Sequence, residues 1–355
     1  MKAITVHTSK VYDVCLGAGL IQELPSLIAP VSNGCKVGII TDDNVDALYA
    51  TSVEHDLSSH GYQVNRFVFP HGEESKNIST LSDILEYFAS CHFTRKDCLL
   101  SVGGGVVGDI TGLAAALYMR GIKFIQVPTT LLSMVDASVG GKTAVDLRAG
   151  KNLVGSFWQP SMVVADTQII ADLPQDIFAE GMAEVIKSDI IANAGIVNWT
   201  ISGDVKNHLE EVVESCIQMK RSVVEQDEYE TKGLRKVLNM GHTVAHAIEK
   251  LSDYKVSHGV AVATGLVWEA KMAQFLGLCK QSLAQEIRNA VGRYGLFHIV
   301  PYTIGDIVNA MRSDKKNEDS NINFVLPIDF GKWTERKIPM RELTDILETI
   351  KLEVS

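Results

Sequence analysis

The chain has 355 residues, 46% of them apolar and 21% charged, which supports a sizeable buried core and excludes disordered, collagen-like and coiled-coil chains. Thirty-three Lys and Arg against 43 Asp and Glu leave a formal net charge of −10, which argues against a general binder of nucleic acid or of an anionic membrane. The length suits two domains.

The opening residues, MKAITVHTSK, carry no signal-peptide core, and no stretch nears the ~18 apolar residues of a membrane span. Six cysteines with no CxxC pair are too sparse for a disulfide scaffold, so a cytoplasmic protein is expected. Short apolar or β-branched runs follow at 37–41 (VGIIT), 65–69 (NRFVF), 98–102 (CLLSV) and 123–127 (KFIQV), with a last one at 162–165. Helical spacing separates them, as at 81–89, where positions 81, 84, 85 and 88 are apolar. The runs end in turn chemistry such as Thr41-Asp42-Asp43-Asn44, Gly103-Gly104-Gly105 and Pro128-Thr129-Thr130. This alternation predicts an α/β domain with a mostly parallel sheet, whose ligands sit at the carboxyl ends of the strands. Beyond about 170 long amphipathic stretches take over. In 205–224, Val205, Leu209, Val212, Val213, Cys216, Ile217, Val223 and Val224 recur at three- and four-residue spacing, and a strand is expected only at 323–326. The predicted organisation is therefore an α/β nucleotide-binding domain over 1–170 and a mainly α-helical metal- and substrate-binding domain over 171–355.

Gly103, Gly105 and Gly108 follow an apolar strand, open a helix-like run and match dinucleotide-binding spacing; a glycine-rich turn without ligand is the competing reading. The next strand ends without an acidic residue for a ribose, while Asp42 and Glu73 follow other strands. A second glycine cluster, 136–143 (DASVGGKT) with Gly150-Lys151-Asn152, places Lys142 and Lys151 among small residues. An anion site is favoured there over a solvated loop.

Arg235, Asn239, His242 and His246 are spaced 4, 3 and 4, so a continuous helix would carry them on one face, although Gly241 interrupts the run. His258 follows after a loop. A lone histidine is more often an ordinary packed residue; two on one face with a third nearby point to a zinc-like divalent ion. Glu184 is the candidate carboxylate ligand. It shares a helix face with Lys187, and an exposed ion pair is the alternative. Lys220 stands where the apolar stripe calls for leucine, so it either snorkels outward or points into a cleft.

Together these residues resemble the 3-dehydroquinate synthase family over essentially the whole chain. The matching stretches are GGGVVGD (103–109), RGIKFIQVPTTLLSMVDASVGGKTAV (120–145), GKNLVGSFWQP (150–160), GMAEVIK (181–187), LNMGHT (238–243) and SDKK (313–316). The resemblance implies an NAD- and metal-dependent cyclase that converts 3-deoxy-D-arabino-heptulosonate 7-phosphate to 3-dehydroquinate and phosphate. The steps it implies are transient oxidation, phosphate elimination, reduction, ring opening and internal aldol closure, with zinc or cobalt as the metal and a homodimer as the assembly. It implies metal ligation by Glu184, His242 and His258, and proton transfer or substrate binding by His246. Glu230 would match an acidic proton acceptor. Lys142, Lys220, Arg235 and Asn239 would be catalytic. Arg120, Asp136, Asn152, Lys187, Lys315 and Lys316 would join those four and His246 around the substrate. NAD would meet Asp42, Glu73, Lys76, Gly104, Gly105, Val106, Asp109, Thr129, Thr130, Lys142 and Lys151.

The chain departs from the family pattern by one extra residue in 227–235, by Ala245 for glycine, by His71 for aspartate and by Val260 for glutamate. The last change is expected to alter the metal surroundings. Other sugar-phosphate cyclases, a metal-dependent alcohol or glycerol dehydrogenase and a nucleotide-binding regulatory protein are the competing readings. A carboxylate-bearing phosphorylated substrate explains the lysines at 142, 151 and 187 better than a small alcohol does.

Overall fold

The computed structural model describes residues 1–32, 36–298, 300–314 and 321–354. The chain divides into two compact units, Met1–Leu173 with Lys220–Tyr229, and Pro174–Met219 with Glu230–Ser355.

The first unit holds a seven-stranded sheet. Its strands are β1 (Lys2–Val6), β2 (Tyr12–Gly17), β3 (Val37–Asp42), β4 (Val64–Phe69), β5 (Cys98–Gly103), β6 (Lys123–Pro128) and, after the hairpin β7 (Lys142–Leu147) and β8 (Gly150–Phe157), β9 (Met162–Asp166). The order is β1-β2-β9-β6-β5-β3-β4, and only the β1–β2 pairing is antiparallel. Alternate side chains of the apolar runs point to opposite faces. Ile39, Leu100 and Ile125 pack with Leu24, Ile28 and Leu57 on one side, while Ile40, Leu99 and Phe124 pack with Ile84, Phe88 and Ile110 on the other. Both faces are thus covered by helices, which is why the runs are apolar throughout rather than alternating. The chain reverses its direction of strand addition between β3 and β5. The carboxyl ends of those strands, Asp42 and the glycine turn, therefore flank the switch point where such sheets bind ligands.

Two features differ from the sequence expectation. The stretch around Gly140-Gly141 and Gly150 is largely a hairpin rather than a loop: β7 pairs antiparallel with β8, Lys142 opposite Phe157. Thr143, Ala144 and Val145 are buried in succession behind exposed Lys142, so β7 carries no apolar alternation to read. The pair β1–β2 was also not foreseen, because β1 is a short edge strand with only Ile4 and Val6 buried.

The second unit is mainly helical, with the hairpin β10 (Asn321–Asp329) and β11 (Lys332–Pro339) near its end. The helices Gln175–Ala192, His242–Leu251 and His258–Phe275 carry its chemistry-bearing residues. The helix Leu209–Gln226 buries Val212, Val213, Cys216, Ile217 and Val224 along the predicted stripe. Its residues from Lys220 onward belong to the first unit. The single helical face expected for Arg235, Asn239, His242 and His246 is not formed. Arg235 and Asn239 lie in a 3-10 turn, Leu234–Asn239, and Gly241 at φ 80° breaks the run before His242 opens a new helix. Left-handed backbone there suits glycine, and the space does as well, because an added Cβ would meet Leu266 at 2.9 Å. No helix among the described residues is long and apolar enough to cross a membrane.

Candidate active site

In the first unit, Gly104 caps the helix Gly105–Leu117 without a side-chain bond to its first N–H groups. A helix N-terminus of this kind offers backbone donors and a positive dipole end to a pyrophosphate. The other glycines serve packing: a Cβ on Gly103 would meet Val107 at 2.5 Å, and one on Gly108 would meet Gln126 at 2.9 Å. The turn is tied to its neighbours, since Thr129 N–H donates to the Gly103 carbonyl at 3.0 Å and Thr41 Oγ1 donates to the Val102 carbonyl at 2.8 Å. Thr130 lies beside Gly104, within 3.4 Å of where a Cβ would stand.

Next to this turn is a compact charged network. Lys76, 5% exposed, pairs with Asp109 at 2.6 Å and donates to Asn152 Oδ1 at 2.6 Å. Burial works against the Lys76 ammonium, but Asp109 and Glu73 outweigh it and raise its pKa. Lys151 stands 3.5 Å from Glu73, and Asn152 N–H donates to Asp146 at 2.7 Å. Asp42 caps a short helix by accepting from Val45 N–H at 2.9 Å, and burial raises its pKa despite that bond. Lys220 neither snorkels nor stands isolated: it is buried and donates to the side chain of Asp136 at 2.8 Å and to its carbonyl.

The second unit brings Glu184, His242 and His258 together, with one donor atom of each lying within 4.8 Å of the other two. Glu184 Oε1 is 3.6 Å from His242 Nε2 and 3.7 Å from His258 Nε2. Both Glu184 oxygens are buried, with the Lys187 ammonium against Oε2 and the two imidazoles beside Oε1. A buried carboxylate oxygen faced by two imidazole nitrogens fits a divalent cation with nitrogen and oxygen ligands. The exposed Glu184–Lys187 pair considered from sequence is thereby corrected: Lys187 is 2% exposed and donates to the Leu238 carbonyl at 2.9 Å.

The two histidines are held alike at their outer nitrogen. His242 Nδ1 lies 3.0 Å from the Met240 carbonyl, and His258 Nδ1 lies 3.3 Å from Glu249 Oε1. Burial, and then Lys187, pull the His242 pKa down to about 3. Burial also opposes charge on His258, but Glu184 and Glu249 override it and push the value up to about 10. Glu184 is held well below the usual carboxylate range, because Lys187 and the two histidines outweigh its burial.

Of the remaining expected residues, His246 lies one turn past His242 with ring centroids 5.6 Å apart. Arg235 is buried and Asn239 exposed. Lys142 is exposed at the start of β7. Glu230 is exposed in a turn at φ 58°. Arg120, also left-handed at φ 67°, lines a hollow with Thr94, Arg95, Lys96 and Met119. Val106 stands in the first turn of the helix Gly105–Leu117. Lys315 and Lys316 lie outside the described residues. Two buried acids went unnoticed in the sequence: Glu249, beside His258, and Glu269, which accepts from Gly241 N–H at 2.6 Å. Each is one acidic residue in a helix, and nothing in its spacing sets it apart from a surface charge.

Two family models match, one described as 3-dehydroquinate synthase N-terminal over residues 66–180 and one as 3-dehydroquinate synthase C-terminal over 181–317. A 3-dehydroquinate synthase of Clostridium acetobutylicum is 37% identical, the match covering 96% of this chain and 97% of the relative. One from Clostridium botulinum is 40% identical over 94% of this chain and 97% of its own length. Among solved structures, a 2-deoxy-scyllo-inosose synthase complexed with carbaglucose-6-phosphate, NAD+ and Co2+ superposes with a TM-score of 0.88 at 26% identity, covering 98% of this chain and 99% of that one. On these matches, which run nearly end to end, the chain belongs to the 3-dehydroquinate synthase family.

Proposed function

We propose that the protein is an NAD- and divalent-metal-dependent 3-dehydroquinate synthase, acting on 3-deoxy-D-arabino-heptulosonate 7-phosphate. The observation that carries this reading is the convergence of Glu184, His242 and His258 in a chain whose relatives at 37 and 40% identity bear that name. The inosose synthase shares the shape at a lower 26% identity, so the synthase of the shikimate pathway is the preferred activity.

Glu184, His242 and His258 would hold the metal, and the Gly104–Gly105 turn with Val106, Asp109, Lys76, Lys151, Glu73, Asp42, Thr129 and Thr130 would hold NAD. When bound, the two supply a transient hydride acceptor and a positive charge that favours ionisation of a hydroxyl. Lys187 neutralises Glu184 and fixes its carboxylate. Lys142, Lys220, Arg235, Asn152, Asn239, Asp136 and Arg120 would bind the substrate, whose carboxylate and phosphate call for cations and amide donors. The His246 imidazole is assigned to proton transfer, supported by its place one helical turn from His242; Glu230, exposed in its turn, is the second candidate proton acceptor. The family resemblance further supports a cytoplasmic homodimer, and sedimentation of the purified protein at twice the monomer mass tests the assembly.

The direct experiment supplies the heptulosonate phosphate with catalytic NAD and Co2+ and follows phosphate and 3-dehydroquinate. The proposal requires both in equal amounts without net NADH. Accumulating NADH would point to a dehydrogenase, and turnover confined to a sugar phosphate lacking the carboxylate would point to another cyclase.

A further inference from the structure

We propose that Glu249 is a positioning residue for the metal centre: its buried carboxylate holds the His258 Nδ1–H and so leaves Nε2 as the nitrogen that faces Glu184 and His242. The inference rests on the metal reading above and adds a residue to it. Glu249 comes from the helix His242–Leu251 and is 3% exposed. His258 opens the next helix, nine residues on, and would be free to rotate about its side-chain bonds without a partner for its ring. Glu180 fixes the chain on either side, accepting from Gly259 N–H at 2.8 Å and from Ser257 Oγ, and Glu249 removes the ring's freedom, its Oε1 lying 3.3 Å from the imidazole Nδ1.

A carboxylate can only accept, so the nitrogen it faces must carry the proton. With Nδ1 protonated, the neutral ring has its lone pair on Nε2, and that atom lies 3.7 Å from Glu184 Oε1. His242 reaches the same tautomer through a backbone acceptor, the Met240 carbonyl at 3.0 Å. The two ligands thus present equivalent nitrogens, one fixed by main chain and one by a charged side chain. A negative acceptor also makes the imidazole a better donor to a cation than a carbonyl does. Val260, where the resembling family has glutamate, offers no carboxylate in the first turn of this helix. Glu249 fills the need from the preceding helix.

The test is Co2+ binding by the full-length protein, measured by competition with a chelator, for the wild type, Glu249→Leu and Glu249→Gln. Leucine removes the acceptor, whereas the glutamine amide oxygen can still accept from Nδ1–H. Loss of such an outer partner costs about 10–100-fold in metal affinity. Glu249→Leu is expected to weaken Co2+ by about that factor, with Glu249→Gln between it and the wild type. A merely structural role would not produce this ranking in variants whose metal-free melting matches the wild type. On the zinc-loaded protein, 15N-histidine NMR should show His258 ligated through Nε2 in the wild type and a mixture of ligating nitrogens in Glu249→Leu. If the leucine variant does not fold, the glutamine variant decides, since it conserves shape: a loss of about threefold or more supports the proposal. Affinities within about twofold of the wild type overturn it. Glu184→Ala separates the two layers of the argument. If that variant binds Co2+ as tightly as the wild type, the three-ligand centre is wrong and the proposal falls with it; if only the Glu249 variants are silent, the centre stands and Glu249 has no part in it.

Discussion

His242 and His258 flank one carboxylate, and the protein drives their charges in opposite directions, to about 3 and about 10. Metal-free, the site therefore holds a proton on His258 across the neutral range, and that proton occupies the nitrogen a cation would need. Because the folded-state value lies above the ordinary one, the proton stabilises the metal-free fold fully below about pH 6.5, and the contribution is lost as pH rises towards 10. Cation binding must run against the same proton. Calorimetry in buffers of different ionisation enthalpy should record release of about one proton per Co2+ between pH 7 and 9, with affinity rising about tenfold per pH unit. Proton-free binding would contradict the assigned ligand. His242→Ala, by contrast, removes a proposed ligand that binds no proton at neutral pH. It should cut phosphate release by at least ~10³-fold, a loss of about 4 kcal/mol in transition-state stabilisation, while NAD binding by fluorescence titration is unchanged.

At the scale of elements, the site depends on how closely backbone segments approach. An added Cβ on Gly265 would meet the Gly241 carbonyl oxygen at 1.9 Å, and Glu269 clamps the Gly241 N–H from the same helix. The helix His258–Phe275 thereby fixes the break from which His242 starts. Gly265→Ala should destabilise the fold by about 1–3 kcal/mol in urea unfolding and weaken Co2+ binding as well, because the added methyl has to displace the turn. Wild-type stability in that variant would show that the approach is looser than the structure has it. In the sheet unit, Lys76→Met leaves the half-buried Asp109 without its cation. A loss of about 1–3 kcal/mol is expected, read by the same unfolding curve.

These elements also show where the sequence is readable. The strands β3, β5, β6 and β9 were visible because both of their faces are buried; β4, an edge strand with only Phe69 buried, was visible from the apolar end of its run. The hairpin β7–β8 was not, since glycines required for turns and close approach dilute its pattern. The stripe from Arg235 to His246 has the right residues at the right spacing on a helix that does not exist. Gly241 in left-handed backbone divides it, and packing against Gly265 supplies the reason, a contact with no trace in local spacing. That Glu184, His242 and His258 would converge was legible from the family-like stretches that hold them, whereas Glu249 stands out only once His258 is folded against it.

For the molecule as a whole, the doubly wound sheet and the helical unit with its candidate three-ligand centre agree with the proposed chemistry, in which NAD is restored at the end of each cycle. The most direct measurement is a multiple-turnover mass balance with excess heptulosonate phosphate, substoichiometric NAD and Co2+. The account predicts one phosphate and one 3-dehydroquinate per substrate consumed, many cycles per NAD, and no NADH left at completion. Phosphate release that stops after one equivalent of NAD, with NADH accumulating in step, would contradict it.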